Sequence, residues 1–321
     1  ETASGPNDSG VIWLYPHGGE KDAAAVIGCG LNPFLSQYDP YLMAQFSVDE
    51  AIRNIVATGG DIDNCCLLDN FCWPDPVKTA KNPDGDYKLG QLVRTCYGLY
   101  DICLSYGTPL VSGKDSMKND FRGKNKNGED LAISILPTLL VTAMAKGKMG
   151  KTCTSDFKNS GDAIYVLGEK STGLLGSEWS KNNTIPDEYS HLPSIEIEKN
   201  KDLYRKIYGA HQKRILQSVH DVSDGGILCA LAESTFGNRL GANLEQSLED
   251  NNKALDFLFN EGPGRFIVSI SPENVDHFEK HFEGHDLIRF GKVSSSFELD
   301  INNGQLKFNG EDLFKAFTVS I

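Results

Sequence analysis

The chain predicts an α/β protein of two domains, and three observations carry that expectation. Short apolar runs alternate with long helical stretches in the first half; residues 146–162, rich in Gly, Lys, Ser and Asp, interrupt the pattern; a second alternating half follows. The 321 residues can fill two ordinary cores, and 40% hydrophobic content suits a globular chain. The interruption divides the chain into residues 1–150 and 151–321.

Residues 23–29 form an apolar run fit for a buried strand, and 40–58 repeat apolar side chains at helical spacing. A second short strand covers 65–68 and ends at Asp69; a helix over 89–106 and a strand at 108–111 follow. Residues 114–130 are dense in Lys, Asn and Gly and read as an exposed loop before a long apolar strand at 135–145. The second half opens with a strand at 163–167 and a loop at 168–177, then a polar insertion near 181–193. A helix over 201–218 leads to a loop at 220–226 and a further helix at 227–236. Strands are expected at 265–270, 286–293 and 297–301.

Composition excludes several classes. A net charge of −13 opposes binding to a nucleic-acid backbone, which Lys and Arg drive by counterion release. A small anionic substrate would need metal ions, helix N-termini and local cations to overcome that field. No run of roughly 18 apolar residues and no basic-then-apolar leader occurs, so a soluble cytoplasmic protein without membrane contact is expected. The eight cysteines form no C-x-x-C pair and read as reduced thiols. The chain begins without Met, directly before Asp8, which suggests a piece of a longer polypeptide.

Two distant segments suggest ATP chemistry. Glu50 and Asn54 lie one turn apart on the predicted helix, opposite the apolar Val48, Ile52, Ile55 and Val56. One carboxylate and one amide suit magnesium, which keeps waters or phosphate oxygens in its other positions; a solvated helix face would look the same. In His220-Asp221-Val222-Ser223-Asp224-Gly225-Gly226, acids and a hydroxyl precede a Gly pair at a helix start. That arrangement fits a metal-bound phosphate, and equally an ordinary N-cap by Ser223 or Asp224. Ser112-Gly113-Lys114-Asp115-Ser116 is not a Walker loop, because Thr108 and Asp115 stand where Gly and Ser/Thr are required. It still places a turn, a cation and a hydroxyl at the C-terminal edge of a strand, as Asp69 does at another. Asp69-Asn70 also reads as an Asx turn, Cys72 lacks a paired base, and the histidines show no metal-ligand spacing.

Together these segments, with Gly30-Leu31-Asn32-Pro33, Asp39-Pro40-Tyr41 and Pro137-Thr138-Leu139-Leu140, resemble the aminoimidazole ribonucleotide synthetase superfamily. Within it they are most similar to the second synthetase-like half of the phosphoribosylformylglycinamidine synthases, in the family's order from about residue 5 to 268. The resemblance implies a first domain whose sheet pairs with an equivalent one into a barrel-like dimer or pseudo-dimer, and a second domain that is an α/β sandwich. It implies that ATP activates formylglycinamide ribonucleotide and that ammonia, released from glutamine elsewhere, displaces phosphate to form the amidine.

Residue by residue, it implies magnesium ligands at Asp8, Glu50, Asn54 and Asp221 and a nucleotide contact at Ser223. It further implies ATP contacts at Asp69 and Gly113 and a substrate contact at Ser116. Lys114 replaces the Asn that smaller members use on the metal, so no metal contact is carried over there. The Glu50, Asn54, Asp221 and Ser223 set matches a site that holds ADP structurally in large members. No catalytic residue is identified, since the family's base lies in a first half absent here, as does the glutaminase domain or subunit. The uncovered sheet edge implies self-association of this chain.

Overall fold

The computed structural model describes residues 6–15, 20–168, 171–245, 251–302 and 304–319. The first half contains β1 (Gly10–Trp13), β2 (Ala23–Leu31), α1 (Pro40–Thr58), β3 (Cys65–Cys72), α2 (Gly85–Tyr106), β4 (Leu110–Ser116), β5 (Asp120–Lys124), β6 (Asp130–Ser134) and β7 (Thr138–Lys148). Five strands form an open sheet in the order β1-β2-β7-β3-β4. Among the described residues of this half only β3 and β4 run parallel, with α2 as their crossover, while β5 and β6 pair as a separate ladder.

Helix α1 is fixed at both ends: the Asp39 side chain accepts from Tyr41 N, Pro40 occupies the first turn, and Gly59 closes the helix at φ 106°. Its apolar residues Val48, Ile52, Ile55 and Val56 are fully buried. The sheet approaches it closely at Gly30, where a Cβ would come within 2.1 Å of Ser47 O. That approach places the middle of α1 directly over the end of β2.

The second half contains β8 (Ala163–Leu167), α3 (Glu178–Asn182), α4 (Ile197–Lys213), β9 (Ser218–Asp221), α5 (Gly226–Phe236), β10 (Gly241–Leu244), α6 (Asn251–Phe259), β11 (Phe266–Ile270), α7 (Val275–His281), β12 (Leu287–Ser294), β13 (Glu298–Ile301), β14 (Leu306–Asn309) and α8 (Gly310–Val319). Seven strands order as β14-β13-β10-β12-β8-β11-β9. The inner strand β8 is buried on both faces. Tyr165 and Leu167 join a core with Leu203, Ile207 and Phe278 of α4 and α7; Ile164 and Val166 join another with Ile227, Leu231 and Leu258 of α5 and α6. The first of these cores runs on into the residues of α1, so the two halves share a packed seam.

Several sequence expectations shift. β4 extends through Ser116, so residues 112–116 are a strand rather than a turn; parallel pairing with β3 imposes that conformation on polar residues. The loop expected at 114–130 holds the end of β4, all of β5 and the start of β6. α4 ends at Lys213 instead of 218, which puts His220 and Asp221 on β9 rather than in a loop. The short β1, β10 and β14, and helices α6 to α8, lie where no element was expected.

Candidate nucleotide and metal site

Glu50 and Asn54 lean from α1 onto the end of β2. Glu50 Oε2 accepts from Leu31 N at 2.8 Å, and Asn54 Nδ2 donates to Cys29 O at 2.7 Å. Each contact uses one end of its group. The second Glu50 oxygen and the Asn54 amide oxygen are the atoms left to face a cation, which suits the hard-oxygen preference of magnesium.

Arg53, between them and only 3% exposed, joins the two distant segments. Its Nη1 donates to Asp49 Oδ2 at 2.5 Å, and its Nη2 to Asp221 Oδ2 at 3.3 Å and Val222 O at 3.4 Å. Asp49 is held as well by the hydroxyls of Tyr106 and Tyr204 and by Asn200 Nδ2. Sequence reasoning missed Arg53 as a site residue; its signal was the acid–base pair Asp49/Arg53 at helical i,i+4 spacing.

On β9, Asp221 and His220 meet Asp8. His220 Nδ1 lies 2.6 Å from Asp8 Oδ1, His220 Nε2 lies 2.9 Å from Glu233 Oε2, and Asp221 N donates to Asp8 Oδ2 at 3.2 Å. Ligating atoms of Asp8, His220 and Asp221 all fall within 4.8 Å of one another. Burial pushes the His220 pKa down, but the Asp8 and Glu233 carboxylates outweigh it and raise the pKa well above the ordinary value. A ring that keeps its proton donates to both acids, which leaves the carboxylate oxygens of Asp8 and Asp221 as the atoms of this group that could meet a cation. No local pattern around His220 announces this partner, because Asp8 is 212 residues away.

Ser223, Asp224, Glu50, Arg53 and Glu261 line one narrow polar pocket with Asn32 and Phe46. The two sequence segments therefore share a site. Among the described residues no side chain caps α5, whose preceding residue is Gly225 at φ 79°. Ser223 and Asp224 are thus not spent as caps. Instead Glu261 Oε1 accepts from Gly225 N at 2.7 Å and Glu178 N at 2.8 Å, fixing the loop from behind. Gly226 is required there, since its φ is 70° and a Cβ would lie 2.6 Å from Leu258 O.

The carboxylates crowd. Burial pushes Glu50 up to about 8, with Arg53 opposing and Asp221 and Asp224 adding. Burial and then Asp224 push Glu261 up to about 8; burial and Asp8, against Arg53 and His220, push Asp221 up to about 6. Asp224 is raised also, by burial first and by Glu178 next. A cation bound among them would relieve both the desolvation and the mutual repulsion.

The remaining candidates form a second group at the β3–β4 edge. Asp69 lies directly opposite Gly113, and a Cβ at 113 would come 2.6 Å from Asp69 Oδ1. Ser116 Oγ lies 3.1 Å from Asn119 Oδ1, the shape of a donated hydrogen bond. Asp69-Asn70 is strand, not an Asx turn. The structure thus brings Asp8, Glu50, Asn54, Asp221 and Ser223 to the seam between the halves, and Asp69, Gly113 and Ser116 to the sheet edge.

Comparison with known proteins follows this division. Residues 6–136 match the model of the AIR synthase related protein N-terminal domain, and residues 159–301 match that of its C-terminal domain. A curated relative, phosphoribosylformylglycinamidine synthase subunit PurL of Thermoplasma volcanium, is 30% identical over 273 residues, which is 84% of this chain and 32% of the relative. T. maritima PurL complexed with FGAR superposes with a TM-score of 0.69 at 17% identity, over 98% of this chain and 48% of that one. The tt0281 protein of Thermus thermophilus superposes at 0.64 with 14% identity, over 94% of this chain and 90% of that one. These structures establish the fold; the chain spans about a third of the curated relative and about half of the T. maritima protein.

Proposed function

The chain belongs to the AIR synthase related family, and on that premise we propose that it is the second synthetase-like half of a phosphoribosylformylglycinamidine synthase. The observation that carries the proposal is the pocket shared by Glu50 of α1 and the loop of Ser223 and Asp224. At the seam beside it Asp8, Glu50, Asn54 and Asp221 would hold magnesium, and Ser223, in the pocket wall, would donate to a phosphate of ATP or ADP. Magnesium supplies charge neutralisation at the phosphates. Arg53 keeps the two halves of the cradle in register, and Glu261 fixes the Gly225 loop. The curated relative's name and the structures of T. maritima PurL with FGAR and with ADP support this choice of substrate and nucleotide.

In the complete cytoplasmic enzyme, a first synthetase-like half and a glutaminase domain or subunit would complete the glutamine-dependent amide ligation. The two domains would meet at residues 150 and 151. Calorimetric titration of magnesium with ADP or ATP into this chain tests the cradle. Tight binding that Asp221→Ala abolishes supports it, whereas tight binding indifferent to Asp221→Ala refutes it.

A second reading is favoured by the separation of the two residue groups. The seam site would then hold ADP as a structural element, while Asp69, Gly113 and Ser116 serve turnover at the sheet edge. In the intact enzyme, Asp221→Ala would then mainly lower stability, and Asp69→Ala would remove activity.

A further inference from the structure

Among the described residues, three helices end on a left-handed residue. After α1 it is Gly59, after α2 Gly107 at φ 73°, and after α4 Arg214 at φ 56°. Glycine reaches that region without a steric cost, and an arginine does not. The Arg214 side chain is exposed, forms no hydrogen bond or ion pair among the described residues, and would stand 3.6 Å from a Cβ at Gly150. It therefore contributes nothing visible to the fold that glycine would not.

What it does is line a cleft of about 860 Å³ with Lys151, Lys158, Thr152, Gln217 and Asp156. Lys151 is anchored by donating to Gln212 O at 2.5 Å, and Lys158 pairs with Asp156 at 2.9 Å. His211, also in the wall, is held neutral at pH 7 because burial pushes its pKa down to about 4. Three cations against one carboxylate leave the cleft basic in a chain of net charge −13. It opens at the start of β9 whereas Asp221 ends that strand, roughly 10 Å along. It also lies past the C-terminal end of α1, about two helical turns from Glu50.

We propose that this cleft is a second ligand site, separate from the magnesium cradle, that binds a small phosphate monoester through Arg214, Lys151 and Lys158. The planar guanidinium presents paired N–H donors to two phosphate oxygens, the ammoniums add charge without a metal, and Thr152 and Gln217 offer groups to a sugar hydroxyl. None of these residues belongs to the magnesium cradle, so the second site stands or falls independently of the nucleotide reading above.

The test is calorimetry on the full chain in magnesium-free, low-salt buffer with inorganic phosphate, ribose 5-phosphate and AMP as probes. Saturable binding of an ester, tighter than that of inorganic phosphate, is expected. Arg214→Glu and Lys151→Glu each weaken it by about tenfold or more, the scale of one charge-assisted contact, while Glu50→Gln leaves it unchanged. Arg214→Gly weakens binding too, yet raises the melting temperature by a few degrees as the left-handed strain is relieved. That last result separates a ligand role from a structural one. Absence of saturable binding by all three probes overturns the proposal, as does binding indifferent to both charge reversals or abolished by Glu50→Gln. Inorganic phosphate binding as tightly as either ester overturns the monoester assignment.

Discussion

Replacing Arg53 with Met should loosen the seam between the two halves. The side chain is 4% exposed, and its guanidinium spans Asp49 on α1 and Asp221 on β9. Removing one member of a buried ion pair costs about 3–5 kcal/mol, because the partner charge stays buried. The lower end applies here: Asp49 keeps the Tyr106 and Tyr204 hydroxyls and Asn200, so most of the penalty falls on Asp221. Asp221 then faces Asp8 with only His220 nearby. Its folded pKa, about 6, already exceeds the ordinary value of 3.8, so the native state binds the extra proton. Stability from that group is therefore present at low pH and is lost as pH rises through this window. Without Arg53 the window extends upward, so the destabilisation should be about 3 kcal/mol at pH 8 and smaller at pH 5. Urea unfolding of the parent, Arg53→Met, Asp221→Asn and the double variant at both pH values measures the loss and its coupling. A loss under about 1 kcal/mol at pH 8, or one that grows on acidification, would refute the account.

Three further outcomes are expected. Glu50 and Glu261, pushed up to about 8 from 4.5, bind protons more tightly folded than unfolded, so the metal-free chain should lose stability as pH rises from about 4.5 to 8. Magnesium with ADP should flatten that decline in thermal melts, because ligands bind deprotonated; a decline that steepens would contradict it. Gly113→Ala places a Cβ 2.6 Å from Asp69 Oδ1, which the part-exposed carboxylate relieves by turning aside, so chemical unfolding should change by less than about 1 kcal/mol while the displaced Asp69 lowers turnover of the intact enzyme; unchanged turnover would remove the edge group from the reaction. Sedimentation should show self-association, since Leu31, Leu68 and Met144 are more than a third exposed on the first sheet and β4 is an open edge; a strict monomer at high concentration counts against it.

How much of this could be read beforehand follows from which forces set each element. α1 was legible to its last residue because local signals agree: Asp39-Pro40 opens it, its apolar face is periodic, and Gly59 ends it. β4 was half legible, since Gly113, Lys114, Asp115 and Ser116 have no strand preference and are held extended by β3. The same distinction governs the site. Glu50 and Asn54 declare themselves by helical spacing, whereas the contact of Asp8 with His220 and Asp221 is purely tertiary. Asp8 could be named only through family resemblance.

The electrostatic pattern of the seam gives the strongest reason to treat it as a binding site rather than a scar of packing. A fold that needed only cohesion would gain by replacing Glu50, Asp221 and Glu261 with apolar side chains of similar volume, because buried ionic groups seldom improve stability over such cores. Here the acids sit beside buried Arg53, whose bonds go to Asp49, Asp221 and the Val222 carbonyl, and near buried Arg265, which bonds to Asn260 and Gly262; Glu50 and Glu261 are left raised toward protonation. Glu261 is in addition held by two backbone N–H groups, which orient a carboxylate that stability alone would discard. Local order maintained around carboxyl groups that only a bound cation would let ionise together is the condition under which a divalent cation and its phosphates bind with least reorganisation. On that ground, Glu261→Gln should preserve the loop, because an amide oxygen still accepts from Gly225 and Glu178. It should also lower the protonation burden of the site, and so shift magnesium–ADP binding to lower pH without abolishing it. Calorimetry at pH 6 and pH 8 decides this: equal losses of affinity at both would show that Glu261 acts through loop structure alone.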